Sequence, residues 1–307
     1  MGTEAFSAPG RFWRGNVHTH SDHSDGALPA DQVCELYREA GYDFLCLSDH
    51  FMARYGFPIT DTRAFRTNSF TTIPGAEIHA PANSHGEIWH ILAVGLPKDF
   101  APTAEGEDGV ALAMRAKAAG AFVGIAHPQW SGLTIEDGRA MATAAHAVEI
   151  FNNSCGIECA RPDGTYLLDQ LLGEGHRLSA YAADDAHFRR PDGFGGWMMV
   201  KAEENQPDAL LSAMKAGHSY STQGPLIHEF AIGEGAAHIR CSPVVNVALV
   251  GRGARAISKF GAMIGPISLP VEIFAGDWLR LVASDAAGRL AWSNPVWIDG
   301  DGNRVVF

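Results

Sequence analysis

The sequence predicts an α/β fold followed by a small all-β unit, and three observations support this. Short apolar runs alternate with amphipathic helical patterns up to about residue 220, which indicates a parallel sheet, open or closed into a barrel. After about Pro225 the helical patterns stop and short strand-like segments follow one another. Histidine and carboxylate residues recur where the predicted strands end, as expected of an active site at one edge of a sheet.

Composition narrows the possible classes of protein. The chain has 307 residues, 46% hydrophobic and 19% charged, which excludes a disordered or collagen-like protein. A formal net charge of -12 argues against a nucleic-acid-binding surface, since phosphate contacts need clustered positive charge. The five cysteines form no CxxC pair, so free thiols are expected. The sequence has no apolar run long enough for a signal peptide or membrane span, so we expect a cytoplasmic protein. With no nucleic-acid surface and no membrane expected, the expected partner is a small-molecule substrate.

The individual elements follow from periodicity. Val33, Leu36, Tyr37 and Ala40 have helical spacing, and the residues around them predict a helix over 29–40 that ends before Gly41. Further helices are predicted over 109–119, 134–145, 164–173 and 207–216. Strands are predicted over 16–20, 44–49, 71–77, 88–95, 121–126, 147–151, 178–183 and 198–202. The boundary between an α/β domain (1–225) and an all-β, sandwich-like domain (226–307) is placed at the change of pattern.

The first candidate site lies in the segment HTHSDHSDG, residues 18–26. In a strand, residues two apart point to the same side, so His18 and His20 share one face. Asp25 follows in a glycine-containing loop that can fold back over them. Two imidazoles and a carboxylate at a strand end form a candidate metal site.

Similar residues close further strands. His50, Glu77 and His127 end their strands, and His90 lies within the strand 88–95. In a parallel barrel such ends meet at one mouth, where His and carboxylate side chains suit metals that support hydrolysis. The predicted ligands are His18, His20, Asp25, His50, Glu77, His90, His127, Asp185 and His187. Shared between two or three ions, with Glu77 bridging, this set leaves positions open for water and substrate.

These motifs resemble the polymerase-and-histidinol-phosphatase (PHP) superfamily. The matching features are HTH with SDG, SDH, GAE followed by a His, AHP and DAH, and they span roughly residues 14–225. The resemblance implies a distorted (β/α)7 barrel with two or three divalent ions, commonly zinc, manganese or iron. It further implies three ligand sets, namely His18, His20, Glu77 and Asp185; Glu77, His90 and His127; and Asp25, His50 and His187.

A finer resemblance is to the carbaryl-hydrolase-like branch of that superfamily. Its marks are RGNVHTHSDHSDG, LYREAGYDFLCLSDH and GHSYSTQGP. The nucleotide phosphoesterases of the superfamily usually insert a small domain between the Glu and AHP motifs. The segment between Glu77 and His127 is too short for that domain, so a nucleotide is not the expected substrate.

The leading functional hypothesis is a phosphoesterase that uses a metal-bound hydroxide in a di- or trinuclear site. The alternative is a carbamate, ester or amide hydrolase with the same metal centre, and a non-catalytic protein with structural metal is a third reading. Asp184 and His187 are candidates for proton transfer. Arg54, Arg66 and Asn152 are candidates for substrate binding, although exposed arginines and a helix cap are simpler readings. His23, His79 and His85 are expected to lie behind the ligands or in solvent. The sequence leaves the oligomeric state open.

Overall fold

The computed structural model describes residues 4–263 and 266–305 and has the mixed α/β fold that the sequence predicts. The helices are α1 (Glu4–Ser7), α2 (Ala30–Glu39), α3 (Gly109–Ala118), α4 (Ile135–Met141), α5 (Asn153–Cys159), α6 (Thr165–Gly173) and α7 (Pro207–Lys215). The strands of the first part are β1 (Arg11–Asn16), β2 (Phe44–Leu47), β3 (His50–Phe51), β4 (Thr71–Ala80), β5 (Trp89–Val94), β6 (Phe122–Ile125), β7 (Ala147–Asn152), β8 (Ser179–Ala183), β9 (Trp197–Ala202) and β10 (Ser219–Thr222).

One large sheet contains the first part, in the strand order β10-β9-β1-β2-β4-β5-β6-β7-β8. The expectation of parallel strands is only partly correct, because β5 runs antiparallel to both β4 and β6, and β9 runs antiparallel to β1. The loop 81–88 between β4 and β5 contains no helix that would carry the chain back across the sheet, so β5 returns antiparallel. The beginning of β5 therefore lies at the edge where the parallel strands end.

The segment that follows β8 meets the segment that follows β1 through the main chain. The Asp185 N–H donates to the His18 carbonyl at 2.8 Å, and the His20 N–H donates to the Ala186 carbonyl at 2.9 Å. The predicted strand 16–20 lies at this junction: β1 ends at Asn16, and the extended residues after it form a single parallel bridge, Thr19 to Ala186. The junction brings the His18–His20 segment against the end of β8.

Helices cover the outer face of the sheet and bury their apolar sides. Val33 and Tyr37 of α2 are fully buried, as the predicted periodicity requires, and so are Leu168 and Leu171 of α6. Each such side chain stabilises the fold by roughly 2 kcal/mol relative to exposure. α4 is shorter than the predicted helix 134–145. It begins after a capping box at Thr134 and ends at Met141.

The described strands after residue 226 are β11 (Ile227–Gly233), β12 (Ala236–Cys241), β13 (Val244–Gly251), β14 (Ala256–Met263), β15 (Ile267–Pro270), β16 (Trp278–Ser284), β17 (Leu290–Ser293) and β18 (Val296–Trp297). β11, β12 and β15 form a small separate sheet, whereas β13, β14, β16 and β17 extend the large sheet through the pairing of β17 with β10. The Arg280 guanidinium of β16 also binds Asp169 of α6 at 2.8 Å. The C-terminal strands are thus joined to the first part by main-chain and ionic contacts, and the boundary at residue 225 stays a prediction.

None of the helices in the described ranges combines the length and apolar character that crossing a membrane requires.

The ring of His146, just before β7, is held neutral. The Val123 N–H donates to His146 Nδ1 at 3.0 Å, so the ring hydrogen lies on Nε2. Burial, and then the nearby Lys117 and Lys215 ammonium groups, lower the pKa of His146 to about 4. An unfolded chain takes up this proton near pH 6.5, so protonation favours unfolding. We expect the titration of His146 to lower the free energy of unfolding by about 2 kcal/mol as the pH falls from about 6.5 to about 4.

Urea unfolding of the wild type and of His146→Gln at pH 7 and pH 4.5 measures this contribution. The glutamine oxygen can accept the Val123 N–H but does not titrate. From pH 7 to pH 4.5, the free energy of unfolding of the wild type should fall by about 2 kcal/mol more than that of the variant. Equal losses would contradict the assignment.

Candidate metal centre

The nine predicted ligands lie together at one end of the sheet, and Glu77 is at their centre. The Glu77 side chain is fully buried, and its carboxylate is 2.7 Å from Nδ1 of both His50 and His90. Nε2 of His127 is 3.1 Å away, and Nε2 of His18 and of His20 are each 3.7 Å away. One carboxylate therefore faces five of the predicted imidazole ligands, which is the position expected of a bridging ligand.

Asp185 completes a group with His18 and His20. Its Oδ1 is 2.9 Å from His20 Nε2 and 3.3 Å from His18 Nε2. The backbone at Asp185 is left-handed, with φ of 55°, and that at His127 has φ of 23°. Such conformations cost roughly 1–3 kcal/mol each and persist where the surrounding structure holds them. His127 and Asp185, two of the described non-glycine residues with positive φ, belong to the predicted ligand set.

Asp25 joins His50 and His187 on the outer side of the group. Asp25 Oδ1 is 3.4 Å from Nε2 of each histidine, and the ring of His20 stacks on that of His187 with centroids 4.3 Å apart. His20, Asp25, His50 and His187 each offer one ligand atom within 4.8 Å of the others. Asp25 thus reaches the two histidines through its loop, as the glycine-containing segment predicts.

Several buried atoms in this region make no hydrogen bond of regular geometry among the described residues, although Glu77 Oε2 lies 2.7 Å from His50 Nδ1 and His18 Nε2 lies 3.3 Å from Asp185 Oδ1. They are His18 Nε2, His20 Nδ1, Asp25 Oδ1 and Glu77 Oε2. An unsatisfied buried polar atom costs about 1–3 kcal/mol, so four in one place need an explanation. Cations bound among these nitrogen and oxygen atoms would provide the missing partners. Imidazole and carboxylate ligands suit zinc, manganese and iron. The residues therefore fit the predicted divalent ions.

The charges of this region also favour cations. Burial would raise the pKa of the Glu77 carboxyl, but His50 and His90 hold it well below its usual range. Asp185 behaves in the same way beside His18 and His20. Burial opposes a charge on His50, yet Glu77 raises its pKa to about 10. The carboxylates stay ionised and attract protons to their neighbours, and a divalent cation would displace those protons.

Side chains behind the ligands fix their orientation. Glu149 accepts from His18 Nδ1 at 3.0 Å and from the His127 N–H at 2.6 Å. Asn152 donates to Glu149 at 3.1 Å and to Asp185 at 3.2 Å, and its oxygen caps α5 by accepting the Cys155 N–H. Asn152, predicted to bind substrate, is fully buried and holds these carboxylates instead. Such partners fix the ring tautomer of a ligating histidine.

The two candidates for proton transfer occupy different environments. The Asp184 carboxylate accepts from the Tyr37 hydroxyl at 2.7 Å and from three successive backbone N–H groups, those of Phe194, Gly195 and Gly196. It therefore anchors the loop after β8 and does not line the mouth. His187 does line the mouth, and its Nδ1 contacts the Asp185 carbonyl at 2.8 Å. Asp184 is not placed for the predicted proton transfer, because Tyr37 and the loop occupy both its oxygens.

The ligands open into a cavity of about 410 Å³, called here the mouth cavity. Arg54 and Arg189 lie in its wall, and the described residues offer no carboxylate within ion-pair distance of either guanidinium. Arg189 Nε donates to the Asp25 carbonyl at 2.8 Å, and Arg54 lies over the ring of Tyr55 at 4.6 Å. Arg190 also lines the cavity but is paired with Glu158 at 2.7 Å.

Arg66, the other predicted substrate residue, is not brought to this cavity. Its guanidinium donates to the Thr72 carbonyl at 2.8 Å and lies in a separate depression beside Cys34 and Arg38. The Arg66 side chain holds its own loop against β4.

Sequence reasoning missed several residues of the site. His79, expected behind the ligands or in solvent, is buried beside them, with its Nε2 2.9 Å from His50 Nδ1. It also offers a ligand atom to the group of His50, Glu77, His79 and His90, which the predicted ligand sets did not include. A carboxylate in the middle of the apolar run AVEIF was the available signal for Glu149. The sequence offered no comparable signal for Arg189, because its contribution depends on the path of the loop.

The fold has a counterpart among solved structures. A two-domain protein from Bacteroides vulgatus, containing a predicted PHP-like metal-dependent phosphoesterase, is 15% identical over 98% of this chain and 97% of that chain, with a TM-score of 0.53. At this identity the likeness shows a shared fold, which is what the resemblance to the PHP superfamily predicts. The carbaryl-hydrolase-like branch stays a prediction.

Two further solved structures match part of the chain. A proposed metal-dependent phosphoesterase from Bifidobacterium adolescentis is 16% identical over 58% of this chain and 90% of that chain, with a TM-score of 0.44. An amidohydrolase from Chromobacterium violaceum, solved with bound sulfate and no metal, is 16% identical over 58% of this chain and 89% of that chain, with a TM-score of 0.38. No protein-family model matches the chain, and a search of curated proteins found no match.

Proposed function

We propose that this protein is a metal-dependent hydrolase that cleaves phosphoesters. The observation that carries the proposal is the pair of guanidinium groups, Arg54 and Arg189, in the wall of the cavity into which the buried His and carboxylate side chains open. Guanidinium groups bind phosphate oxygens well, and these two have no carboxylate to neutralise them among the described residues. A neutral carbamate or ester would gain less from them, because its carbonyl oxygen carries no charge.

The ligand sets implied by the family resemblance would hold two or three ions. Glu77 with His90 and His127, Asp185 with His18 and His20, and Asp25 with His50 and His187 are the groups that the contacts support. A bound divalent cation supplies Lewis-acid chemistry, which polarises a phosphoryl oxygen and makes water more acidic.

The chain's own residues bind and orient the substrate. Arg54 and Arg189 would hold the non-bridging phosphoryl oxygens, while Trp130, whose ring lies 5.0 Å from that of His127, covers one side of the ligands. Ser131 contacts His127 Nδ1 at 2.9 Å and fixes the ring. His187 lines the cavity, and because its Nε2 would be held in the ligand set with Asp25 and His50, a leaving group would take its proton from water in the cavity.

A carbamate or ester hydrolase is the second candidate. The apolar side chains Met52, Ile88 and Trp130 in the same wall favour it, because they would suit an aryl group. The absence of an inserted domain between Glu77 and His127 also favours it.

Hydrolysis assays with manganese- or zinc-loaded protein separate the two candidates. The panel contains 4-nitrophenyl phosphate, bis(4-nitrophenyl) phosphate, 4-nitrophenyl acetate and 1-naphthyl methylcarbamate. We expect turnover of a phosphoester, with KM raised about tenfold in Arg54→Met because one charge-assisted contact is lost. Arg63→Met is the matched control, since Arg63 lies in the same loop but pairs with Asp61 on the surface. Carbamate or ester turnover without phosphoester turnover would overturn the proposal in favour of the second candidate.

A further inference from the structure

A second cavity, of about 300 Å³, lies at the end of the sheet opposite the metal centre. His146 precedes β7, and Ser179 and Ser219 begin β8 and β10, so this basal cavity is formed where the strands start. The segment 294–297 closes it from the C-terminal part. β7 and β8 run from this cavity to the mouth, where they carry Glu149 and lead into Asp185.

Hydrogen-bond donors gather in the basal cavity without matching carboxylates. Lys117 and Lys215, at the ends of α3 and α7, both line it, and its described lining contains no Asp or Glu. Lys117 donates to the Thr143 carbonyl at 3.0 Å, and Lys215 donates to the Gly120 carbonyl. Each ammonium has three hydrogens, so each keeps donors to spare. Across the described ranges neither lysine lies within ion-pair distance of a carboxylate, although the chain carries a net charge of -12.

His146 adds a third donor to this wall. Because its Nδ1 accepts the Val123 N–H, its hydrogen is on Nε2, and the ring can only donate from that side. Burial, and then the two lysines, lower the pKa of His146 and keep the ring neutral. This wall thus carries two ammonium groups and one ring N–H, and all three can only donate hydrogen bonds. Such a wall suits the oxygens of an anion.

The remaining walls combine apolar residues with the polar side chains of Ser179, Ser219, Ser293, Asn294, Arg177 and Arg304. Phe6, Leu178 and Trp297 line the cavity, and the Arg177 guanidinium lies over the Trp297 ring at 3.9 Å. A donor-rich wall beside aromatic and aliphatic surface is the usual form of a site for a small organic anion.

We propose that the basal cavity binds an organic anion whose phosphate or carboxylate group lies against Lys117, Lys215 and His146. The apolar body of the ligand packs against Phe6 and Trp297. This site is separate from the metal centre, so it takes a ligand in addition to the substrate. The proposal does not depend on the reaction at the mouth.

Isothermal titration calorimetry of the metal-loaded protein with phenylphosphonate, and in parallel with benzoate, tests the proposal. The basal site should appear as a binding event that Arg54→Met leaves unchanged and that Lys117→Met/Lys215→Met weakens at least about tenfold, the loss expected for one or more charge-assisted contacts. The ligand that binds more tightly identifies the head group. Lys98→Met/Lys259→Met, which removes two exposed lysines that do not line this cavity, is the control for net charge.

A variant that conserves charge protects the test against a folding defect. Lys117→Arg/Lys215→Arg should keep most of the binding, and the methionine variant should keep the thermal transition of the wild type. Failure of both ligands to titrate a site outside the mouth would overturn the proposal, as would undiminished binding by the folded methionine variant. Because hydrolysis is measured separately, loss of the phosphoesterase proposal would leave this result unaffected.

Discussion

Replacing Glu77 by Gln should abolish the binding of at least one metal ion and reduce hydrolysis about a thousandfold or more. The amide keeps the shape of the side chain but removes the negative charge that faces His50, His90, His127, His18 and His20. A neutral Gln offers a weaker ligand and leaves the imidazoles without their shared partner. The measurements are metal ions per chain by elemental analysis after reconstitution, and the rate with saturating substrate.

Glu149→Gln is the matched control for that variant. Glu149 is also fully buried, but it contacts His18 through the ring nitrogen opposite Glu77 and accepts the His127 N–H. Loss of such a supporting contact reduces metal affinity or activity about 10- to 100-fold. We therefore expect Glu77→Gln to reduce metal content and the rate of hydrolysis far more than Glu149→Gln does. Full metal content and near-normal rates in Glu77→Gln would refute the bridging role.

The second large effect is expected at Asp185. Asp185→Asn should keep the fold, because asparagine tolerates the left-handed backbone that this position requires. It should nevertheless lose the ion held with His18 and His20, and hydrolysis should fall about a thousandfold. Asp185→Ala should in addition lower the free energy of unfolding by about 1 kcal/mol, because alanine is strained at positive φ. Metal content and urea unfolding of the two variants measure these effects.

The neighbouring Asp184→Asn provides the contrast. Its carboxylate accepts four hydrogen bonds, and the amide nitrogen of asparagine would face N–H donors of the loop 194–196. We expect a loss of about 2 kcal/mol in stability with metal content retained. The account of Asp185 fails if both variants bind the full complement of ions, or if Asp184→Asn alone loses them.

Much of the site could be predicted because strand ends are visible in a sequence. His18 and His20, at i and i+2, follow β1, and Asp185 lies just beyond the end of β8. Glu77 lies within β4, which continues to Ala80 beyond the predicted end of that strand. His90 belongs to the same group for a different reason, since it lies near the beginning of an antiparallel strand. The fold class and the positions of most helices followed from hydrophobic periodicity in the same way.

The contributions that were not predicted depend on three-dimensional paths that periodicity does not encode. Arg189 reaches the mouth because the loop after β8 folds back over Asp25, and Arg66 fails to reach it because its loop turns toward Thr72. Asp184 and Asp185 are adjacent and chemically alike, and only the left-handed turn at Asp185 sends their carboxylates to different partners. His79 joins the site because β4 continues past Glu77.

The central claim is that these buried histidines and carboxylates hold divalent cations. The most direct test is crystallography of manganese- or zinc-reconstituted protein with anomalous difference maps collected at the metal edge. The account predicts two or three anomalous peaks, one within coordination distance of Glu77, His90 and His127 and another near His18, His20 and Asp185. Reconstituted protein whose maps show no peak among these side chains would contradict it.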